Sequence, residues 1–152
     1  MAQCNLTLNY FESPRHGLES PLILDPKQRK RFLPSLFGRY FMRGESIVYA
    51  WMRELSDEYK GGFWNYYRLS NGGFYMSPEM HPSSLIICQN DFRGTMSTDA
   101  VGIVCTLFAL RYLSYDRGVQ LERDLLTKNF FSLLRFVSFH REDQAIRSVI
   151  DC

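Results

Sequence analysis

The segment GGFWNYYRLSNGGFYMSP, residues 61–78, decides the fold, because it combines turn residues with closely spaced aromatic side chains. Asn71 and Gly72 both adopt positive φ at low cost, which suits the two central positions of a type I′ turn. Gly61 and Gly62 provide a stop for a helix that precedes the segment. The sequence therefore predicts an antiparallel β-hairpin with a two-residue loop.

A two-residue loop determines which side chains share a face of the hairpin. Leu69 then lies opposite Phe74 and Tyr67 opposite Met76, and we expect these four side chains to face the core. The other face carries Trp64, Tyr66, Arg68 and Tyr75. Their apolar bodies and polar tips are typical of a partner-binding surface. The alternative is that a helix covers them and that they belong to the core.

Helical patterns flank the hairpin. Asp25-Pro26 predicts the start of a short helix that ends before Pro34. Apolar residues at three- and four-residue spacing predict a second helix over 45–59. The run from Ala100 to Leu113 is apolar on almost every side, so we expect a buried helix there, capped by Ser97 or Thr98 with Asp99 in its first turn.

The remaining pattern completes an α+β fold. Residues 84–88 and 92–96 predict two further strands in a small antiparallel sheet. Gly118 marks a break before an amphipathic helix over 121–137, and residues 140–151 predict a short final helix. Asp151 is unusual there, because a carboxylate at a helix C-terminus is electrostatically unfavourable. Either the helix stops earlier, a basic partner is present, or the charge serves a contact outside the fold.

Length and composition predict a single compact domain. The chain has 152 residues, of which 45% are hydrophobic and 22% charged, as expected of a globular protein. No stretch reaches the ~20 apolar residues of a membrane span, and the N-terminus lacks the pattern of an export signal. We therefore expect a cytoplasmic protein. The four cysteines form no close-spaced pair, so neither a zinc site nor a redox site is predicted.

The charge argues against imitation of DNA. A protein that imitates DNA needs a dense array of carboxylates in place of phosphates, whereas this chain has a formal net charge of +2 with acidic and basic residues interspersed. One region is strongly basic, and its cations are Lys27, Arg29, Lys30, Arg31, Arg39 and Arg43. A solvated helix face is the simpler explanation, and phosphate contact by a nucleic-acid-binding module is the alternative.

Residues for catalysis are not evident. His16, His81 and His140 lie in separate segments without metal-ligand spacing, and no nucleophile elbow or phosphate-binding loop occurs. Carboxylates such as Glu45 and Asp99 are more simply first-turn residues of helices. We predict no catalytic residue, no metal and no cofactor, although sequence alone leaves an unrecognised hydrolase open.

Several motifs carry a family resemblance. The segments FLPSLFG (32–38), ESIVY (45–49) and STDAVGI (97–103), together with the hairpin, resemble the ArdB/KlcA antirestriction family of plasmids and other mobile elements. The resemblance extends from about Asp25 to the C-terminus. Residues 1–24 are thus predicted to be an N-terminal extension, which could be poorly ordered, and residues 25–152 the antirestriction domain.

The resemblance implies a function without chemistry. Such a protein inhibits host type I restriction enzymes and so protects incoming plasmid or phage DNA. Direct contact with the enzyme, interference with its translocation along DNA and an indirect route all remain open. We expect weak or absent DNA binding, no membrane association, and a monomer or homodimer. The predicted interaction surface comprises Trp64, Tyr66, Arg68, Tyr75 and Asp151.

Overall fold

The computed structural model describes residues 26–81, 84–89 and 92–151, with the side chains of residues 26–29, 84–86 and 119 left out of the description. Residues 1–24, predicted to be an extension, lie outside this description. The helices are α1 (Pro26–Phe37), α2 (Phe41–Leu55), α3 (Thr98–Tyr115), α4 (Arg123–Val137) and α5 (Asp143–Ile150). The strands are β1 (Trp64–Arg68), β2 (Phe74–Pro78), β3 (Ser84–Gln89) and β4 (Phe92–Ser97).

Helix α3 is the centre of the core, as its sequence predicts. The Ser97 hydroxyl accepts a hydrogen bond from the Ala100 N–H, which caps the helix. Every residue from 100 to 110 is buried. A helix without a polar face must be covered on all sides, and α2, α4, α5 and β2 all pack against it.

The first hairpin forms, but its predicted loop and register are wrong. The Gly72 N–H donates to the Leu69 carbonyl at 2.9 Å, and the Leu69 N–H donates to the Gly73 carbonyl at 2.8 Å. These bonds close a three-residue loop in which Gly72 has φ +91°, a common alternative to the two-residue loop. Tyr67 therefore pairs with Tyr75, one position away from the prediction.

Asn71 explains the longer loop. Its side-chain oxygen accepts from the Gly73 N–H at 2.8 Å, and its amide donates to the Ser132 carbonyl of α4 at 2.9 Å. The turn is therefore chosen by a contact distant in sequence as well as by local propensity. The shift also corrects the predicted faces, because Tyr66 now shares a face with Met76 and the ring of Tyr67 stacks on Tyr75 at 4.5 Å.

Helix α3 lies very close to β2. A Cβ atom built on Gly102 would stand 2.4 Å from the Met76 carbonyl oxygen and 2.4 Å from the Ser77 Cβ. One turn later, the Thr106 hydroxyl accepts from the Met76 N–H at 3.3 Å and donates to the Gly102 carbonyl at 2.8 Å. Gly102 thus allows the helix to approach the strand backbone. Thr106 provides a hydrogen-bond acceptor for the Met76 N–H, which would otherwise be exposed to solvent or buried without a partner.

The second hairpin and the fold class are confirmed. Strand β3 pairs with β4 in antiparallel register, with Ser84 opposite Ser97 and Gln89 opposite Phe92. Within the described residues, the strands form two separate two-stranded antiparallel sheets, whereas the sequence predicts a single small sheet that contains both hairpins. The protein is therefore an α+β domain in which small antiparallel sheets pack with helices.

The bounds of the first two helices differ from the predicted ones. Helix α1 continues through Pro34 to Phe37, because burial of apolar side chains on both sides of the proline offsets the lost backbone hydrogen bond. Helix α2 covers Phe41–Leu55 instead of 45–59. Tyr59 fits the apolar spacing of the helix but lies beyond its end. It is buried against the hairpin, where its hydroxyl accepts a hydrogen bond from the Trp64 indole at 2.9 Å.

The last two helices begin later than predicted. Helix α4 starts at Arg123, after a 3₁₀ helix over Arg117–Glu122 that leaves Leu121 exposed. Helix α5 starts at Asp143 and packs against α3. Among the helices that the structure describes, none combines the length and the apolar character needed to span a bilayer.

The close approach of α3 to β2 yields a stability prediction. Gly102→Ala should lower the free energy of unfolding by about 1–3 kcal/mol, because overpacking against backbone atoms outweighs the gain of ~1 kcal/mol in helix propensity. Denaturant titration followed by circular dichroism measures the change. Ser46→Ala, at an exposed site of α2, is the control and should stay within about 0.5 kcal/mol of the parent. A Gly102→Ala variant as stable as the parent would contradict the packing described here.

Candidate functional site

The aromatic residues of the predicted interaction surface are buried. Tyr59 and α2 cover Trp64. Phe32 of α1 covers Tyr66, and the centres of the two rings are 4.7 Å apart. Tyr75 is 0% exposed and faces α3 and α4. The expectation that these three side chains form a contact surface is therefore wrong, because helices cover both faces of the hairpin.

Two members of that predicted surface do face solvent. Arg68 is exposed at the end of β1, with its guanidinium carbon 5.9 Å from the centre of the Phe74 ring. Asp151 is exposed directly after α5, where its N–H donates to the Arg147 carbonyl at 2.9 Å. The Arg111 guanidinium donates to the neighbouring Ile150 carbonyl at 3.1 Å, which places a positive charge near the end of α5.

The basic region divides into paired and unpaired parts. The Arg39 backbone N–H donates to the Glu122 carboxylate at 2.9 Å, and the Arg39 side chain lies 3.7 Å from the same oxygen. Arg43 donates to Asp116. Lys30 and Arg31 are exposed, and the side chains of Lys27 and Arg29 lie outside the described residues. Two of the six predicted phosphate-contacting cations thus already have a carboxylate partner.

The Asp116 carboxylate is held in its charged form. A hydrogen bond from the Gly118 N–H, followed by the bond from Arg43, lowers the pKa of Asp116 below its ordinary value. The same contact raises the pKa of Arg43. Since this ion pair lies at the surface, with the two side chains 45% and 23% exposed, these shifts locate the charges and add little stability.

A partly buried polar network connects three parts of the fold. The Tyr75 hydroxyl of β2 donates to one oxygen of Asp99 at 2.7 Å, and His140 Nε2 lies 2.8 Å from the other. His140 follows α4 and is buried, whereas the Asp99 side chain is 36% exposed. Glu142 extends the network, since its carboxylate accepts from the Ser97 N–H at 3.0 Å and from the Ser97 hydroxyl.

The hydrogen bonds fix the tautomer of His140. Its Nδ1 accepts from the Glu142 N–H at 3.0 Å, so Nδ1 carries no proton and the ring proton is on Nε2, directed at Asp99. Both ring nitrogens are therefore engaged. A serine–histidine–aspartate arrangement needs a nitrogen free to take the proton of the serine, and His140 does not offer one to Ser97.

The network also affects the two stacked tyrosines. Burial, reinforced by the negative charge of Asp99, raises the pKa of Tyr75 well above its ordinary value. Burial and Asp99 also raise the pKa of Tyr67. Both phenols thus keep their protons at neutral pH, and Tyr75 acts as a hydrogen-bond donor rather than as a base.

No local pattern in the sequence predicts this network. Asp99 and His140 are 41 positions apart, and the local pattern around Asp99 predicts only a first-turn residue of its own helix. Among the described residues, no group of three or more histidine, cysteine, aspartate or glutamate side chains is arranged to hold a metal ion. Cys105 is buried in α3, and burial raises the pKa of its thiol, which leaves it poorly nucleophilic.

Comparisons with known proteins identify the family. A family model described as antirestriction protein matches residues 57–151. An antirestriction protein KlcA of Escherichia coli is 45% identical over 82% of this chain and 89% of its own length. The chain belongs to the ArdB/KlcA antirestriction family. The resemblance seen in the sequence motifs is thereby confirmed.

Two further relatives extend the ArdB/KlcA comparison. The putative antirestriction protein YubI of Escherichia coli strain K12 is 37% identical over 81% of this chain and 89% of its own length. A solved structure from work on KlcA and ArdB is 41% identical, with a TM-score of 0.72 over 88% of this chain and 95% of that one. That work describes a novel fold and antirestriction activity against type I DNA restriction systems in vivo but not in vitro.

The network predicts a specific role for Asp99 in this ArdB/KlcA family member. An asparagine at position 99 keeps one side-chain acceptor, so only one of Tyr75 and His140 retains its partner, and the remaining bond loses its charge. Asp124→Asn is a matched control, because Asp124 is likewise the second residue of a helix but is exposed. Asp99→Asn should cost about 1–3 kcal/mol more than the control in denaturant titrations. Equal losses in the free energy of unfolding would contradict this role and would mean that Asp99 acts only through its interaction with the helix dipole.

Proposed function

We propose that this protein protects incoming plasmid or phage DNA by inhibiting host type I restriction enzymes, without catalysis and without imitating DNA. Membership of the ArdB/KlcA family carries the proposal, since antirestriction against type I systems is described for the solved relatives. The physical features of the described residues bear on how it acts.

Charge supports the part of the proposal that concerns DNA imitation. Imitation requires free carboxylates at phosphate-like spacing. Here Asp116 pairs with Arg43, Glu122 with Arg39, and Glu142 with Ser97. These three carboxylates thus stabilise the fold, and the chain as a whole carries a formal charge of +2.

The geometry around His140 supports inhibition without catalysis. A general base must be within hydrogen-bond reach of the proton that it removes. Both nitrogens of His140 have other partners, and the carboxylate closest to it, Asp99, accepts from two donors. Inhibition by a protein–protein contact requires no proton transfer by either of these groups.

We further propose that inhibition requires a component of the living cell. The solved relatives are described as active in vivo but not in vitro. A protein that blocked the purified enzyme by simple occupancy would act in both settings, since mass action is the same. An indirect route, or contact with the enzyme only in its cellular state, accounts for the difference.

The deciding measurement is the plating efficiency of unmodified phage on a host with an active type I system. Expression of this protein should raise the efficiency towards that of an isogenic host without the system, and it should change nothing in the latter host. Unchanged restriction at verified expression would overturn the proposed function. Inhibition of the purified enzyme would instead overturn the requirement for a cellular component.

Surface variants test where the partner binds. Arg68 and Asp151 are the exposed members of the sequence-predicted surface, and we propose that they contact the partner. Arg68→Glu and Asp151→Asn should each reduce protection while leaving the circular dichroism spectrum and the unfolding midpoint unchanged.

The matched control for those variants also tests imitation of DNA. Glu54, Asp57 and Asp124 are exposed carboxylates elsewhere on the surface. Their combined replacement by Gln, Asn and Asn should leave protection intact, because no phosphate-like array is involved. Loss of protection in this triple variant, with Arg68→Glu and Asp151→Asn unaffected, would contradict both the proposed contact and the exclusion of imitation.

A further inference from the structure

A cleft lies between the C-terminal end of α3, the 3₁₀ helix that follows it and the start of α4. Its volume is about 400 Å³, within the ~300–1,000 Å³ of typical small-molecule sites. Three arginines and three aromatic residues dominate its walls, namely Arg111, Arg117, Arg123, Tyr115, Phe130 and Phe131. None of these residues belongs to the polar network or to the predicted interaction surface.

Helical spacing brings these side chains together. Arg111 and Tyr115 are four residues apart on α3, and Arg123, Thr127 and Phe131 recur at the same interval on α4. Residues four apart lie on one face of a helix. Two helix faces with the same combination of cation and aromatic ring therefore line opposite walls, and the 3₁₀ helix supplies Arg117 between them.

The cleft carries a concentrated positive charge. Its lining includes three guanidinium groups and no carboxylate. Arg111 donates to the Ile150 carbonyl at 3.1 Å, and Arg123 donates to the Ser114 carbonyl at 3.1 Å. These bonds hold both side chains in place but leave their charges and most of their N–H groups available, since a guanidinium has five donors.

The nearby acids on the 3₁₀ segment do not cancel this charge. Asp116 is engaged by Arg43 and by the Gly118 N–H, and Glu122 is engaged by Arg39. Each of these acids thus balances a cation of the basic region near α2 instead of a cleft arginine. The three positive charges of the lining favour an anionic ligand. A phosphate is suitable, because its oxygens can accept two hydrogen bonds from one planar guanidinium group.

The aromatic walls add a second requirement. Tyr115 is 78% exposed and Phe131 is 54% exposed, and the Phe131 ring packs edge-on against Phe130 at 5.2 Å. Large exposed aromatic side chains beside a cationic pocket are typical of sites where a flat ring stacks. A bare anion leaves these rings in water, and an apolar ligand leaves the guanidiniums unpaired.

We propose that this cleft binds one nucleotide unit, with its phosphate on Arg117 and Arg123 and its base stacked on Tyr115 or Phe131. The volume admits a single unit. The phosphate satisfies the fixed charges and the base covers the exposed rings, so one ligand meets both requirements. The proposal goes beyond antirestriction and does not rest on it. A free nucleotide and a nucleotide within a single strand share this chemistry.

Calorimetric or NMR titration of the full chain tests the proposal with four probes. The probes are inorganic phosphate, thymidine, thymidine 5′-monophosphate and a ten-residue oligothymidylate. The monophosphate should bind more tightly than phosphate alone or thymidine alone. Arg117→Glu should weaken that binding about tenfold or more, and Tyr115→Ala should weaken it by about tenfold.

The control is Arg53→Glu, which makes the same change in net charge at an exposed site of α2 and should leave the affinity unchanged. The oligothymidylate offers about ten equivalent units, so only an affinity more than about tenfold above that of the monophosphate would identify a single strand as the source of the nucleotide, and a smaller difference would identify the free nucleotide. Three outcomes would overturn the proposal. They are no binding of the monophosphate at millimolar concentration, an affinity no higher than that of phosphate, or an equal loss in Arg53→Glu and Arg117→Glu.

Discussion

The contact between α3 and the backbone of β2 is the constraint on which the structure depends. Gly102 leaves no side chain between helix and strand, and Thr106 supplies the hydroxyl that the Met76 N–H needs. The aromatic hairpin can then be buried on both faces, with α1 and α2 on one side and α3 and α4 on the other. This burial removes the rings of Trp64, Tyr66 and Tyr75 from contact with a partner.

The arrangement assigns different tasks to the two ends of α3. At its N-terminus, Asp99 links Tyr75 to His140 and so fastens the hairpin to the segment between α4 and α5. At its C-terminus, Arg111 and Tyr115 form one wall of the cationic cleft. Asp99 lies 12 positions before Arg111 and 16 positions before Tyr115, which is roughly 18–24 Å along the helix. Substitutions at one end therefore need not disturb the other, and stability and ligand binding can be examined separately.

Local physics made the elements predictable and left their contacts open. The apolar α3, its Ser97 cap and the strands around residues 84–97 follow from patterns within a few residues, and these elements indicate the α+β class. The family was indicated separately, by the resemblance of motifs such as STDAVGI (97–103). The loop register depends on Asn71 reaching Ser132, and the Asp99 network joins segments 41 positions apart. Such pairs leave no trace in local periodicity. The cleft had a signal, the repeated spacing of Arg and aromatic residues on two helices, but it required knowing that the helices are neighbours.

The double role of Asn71 has a consequence for how the chain selects its strand alignment. In a peptide limited to residues 61–78, Ser132 is absent, and the tighter two-residue turn competes without penalty. In the whole chain, a hairpin with the slipped register would move Asn71 away from Ser132 of α4. It would also place the side chains of Tyr66 and Tyr75 on one face of the hairpin instead of on opposite faces. The contact of Asn71 with α4 therefore stabilises the observed strand register relative to the slipped one.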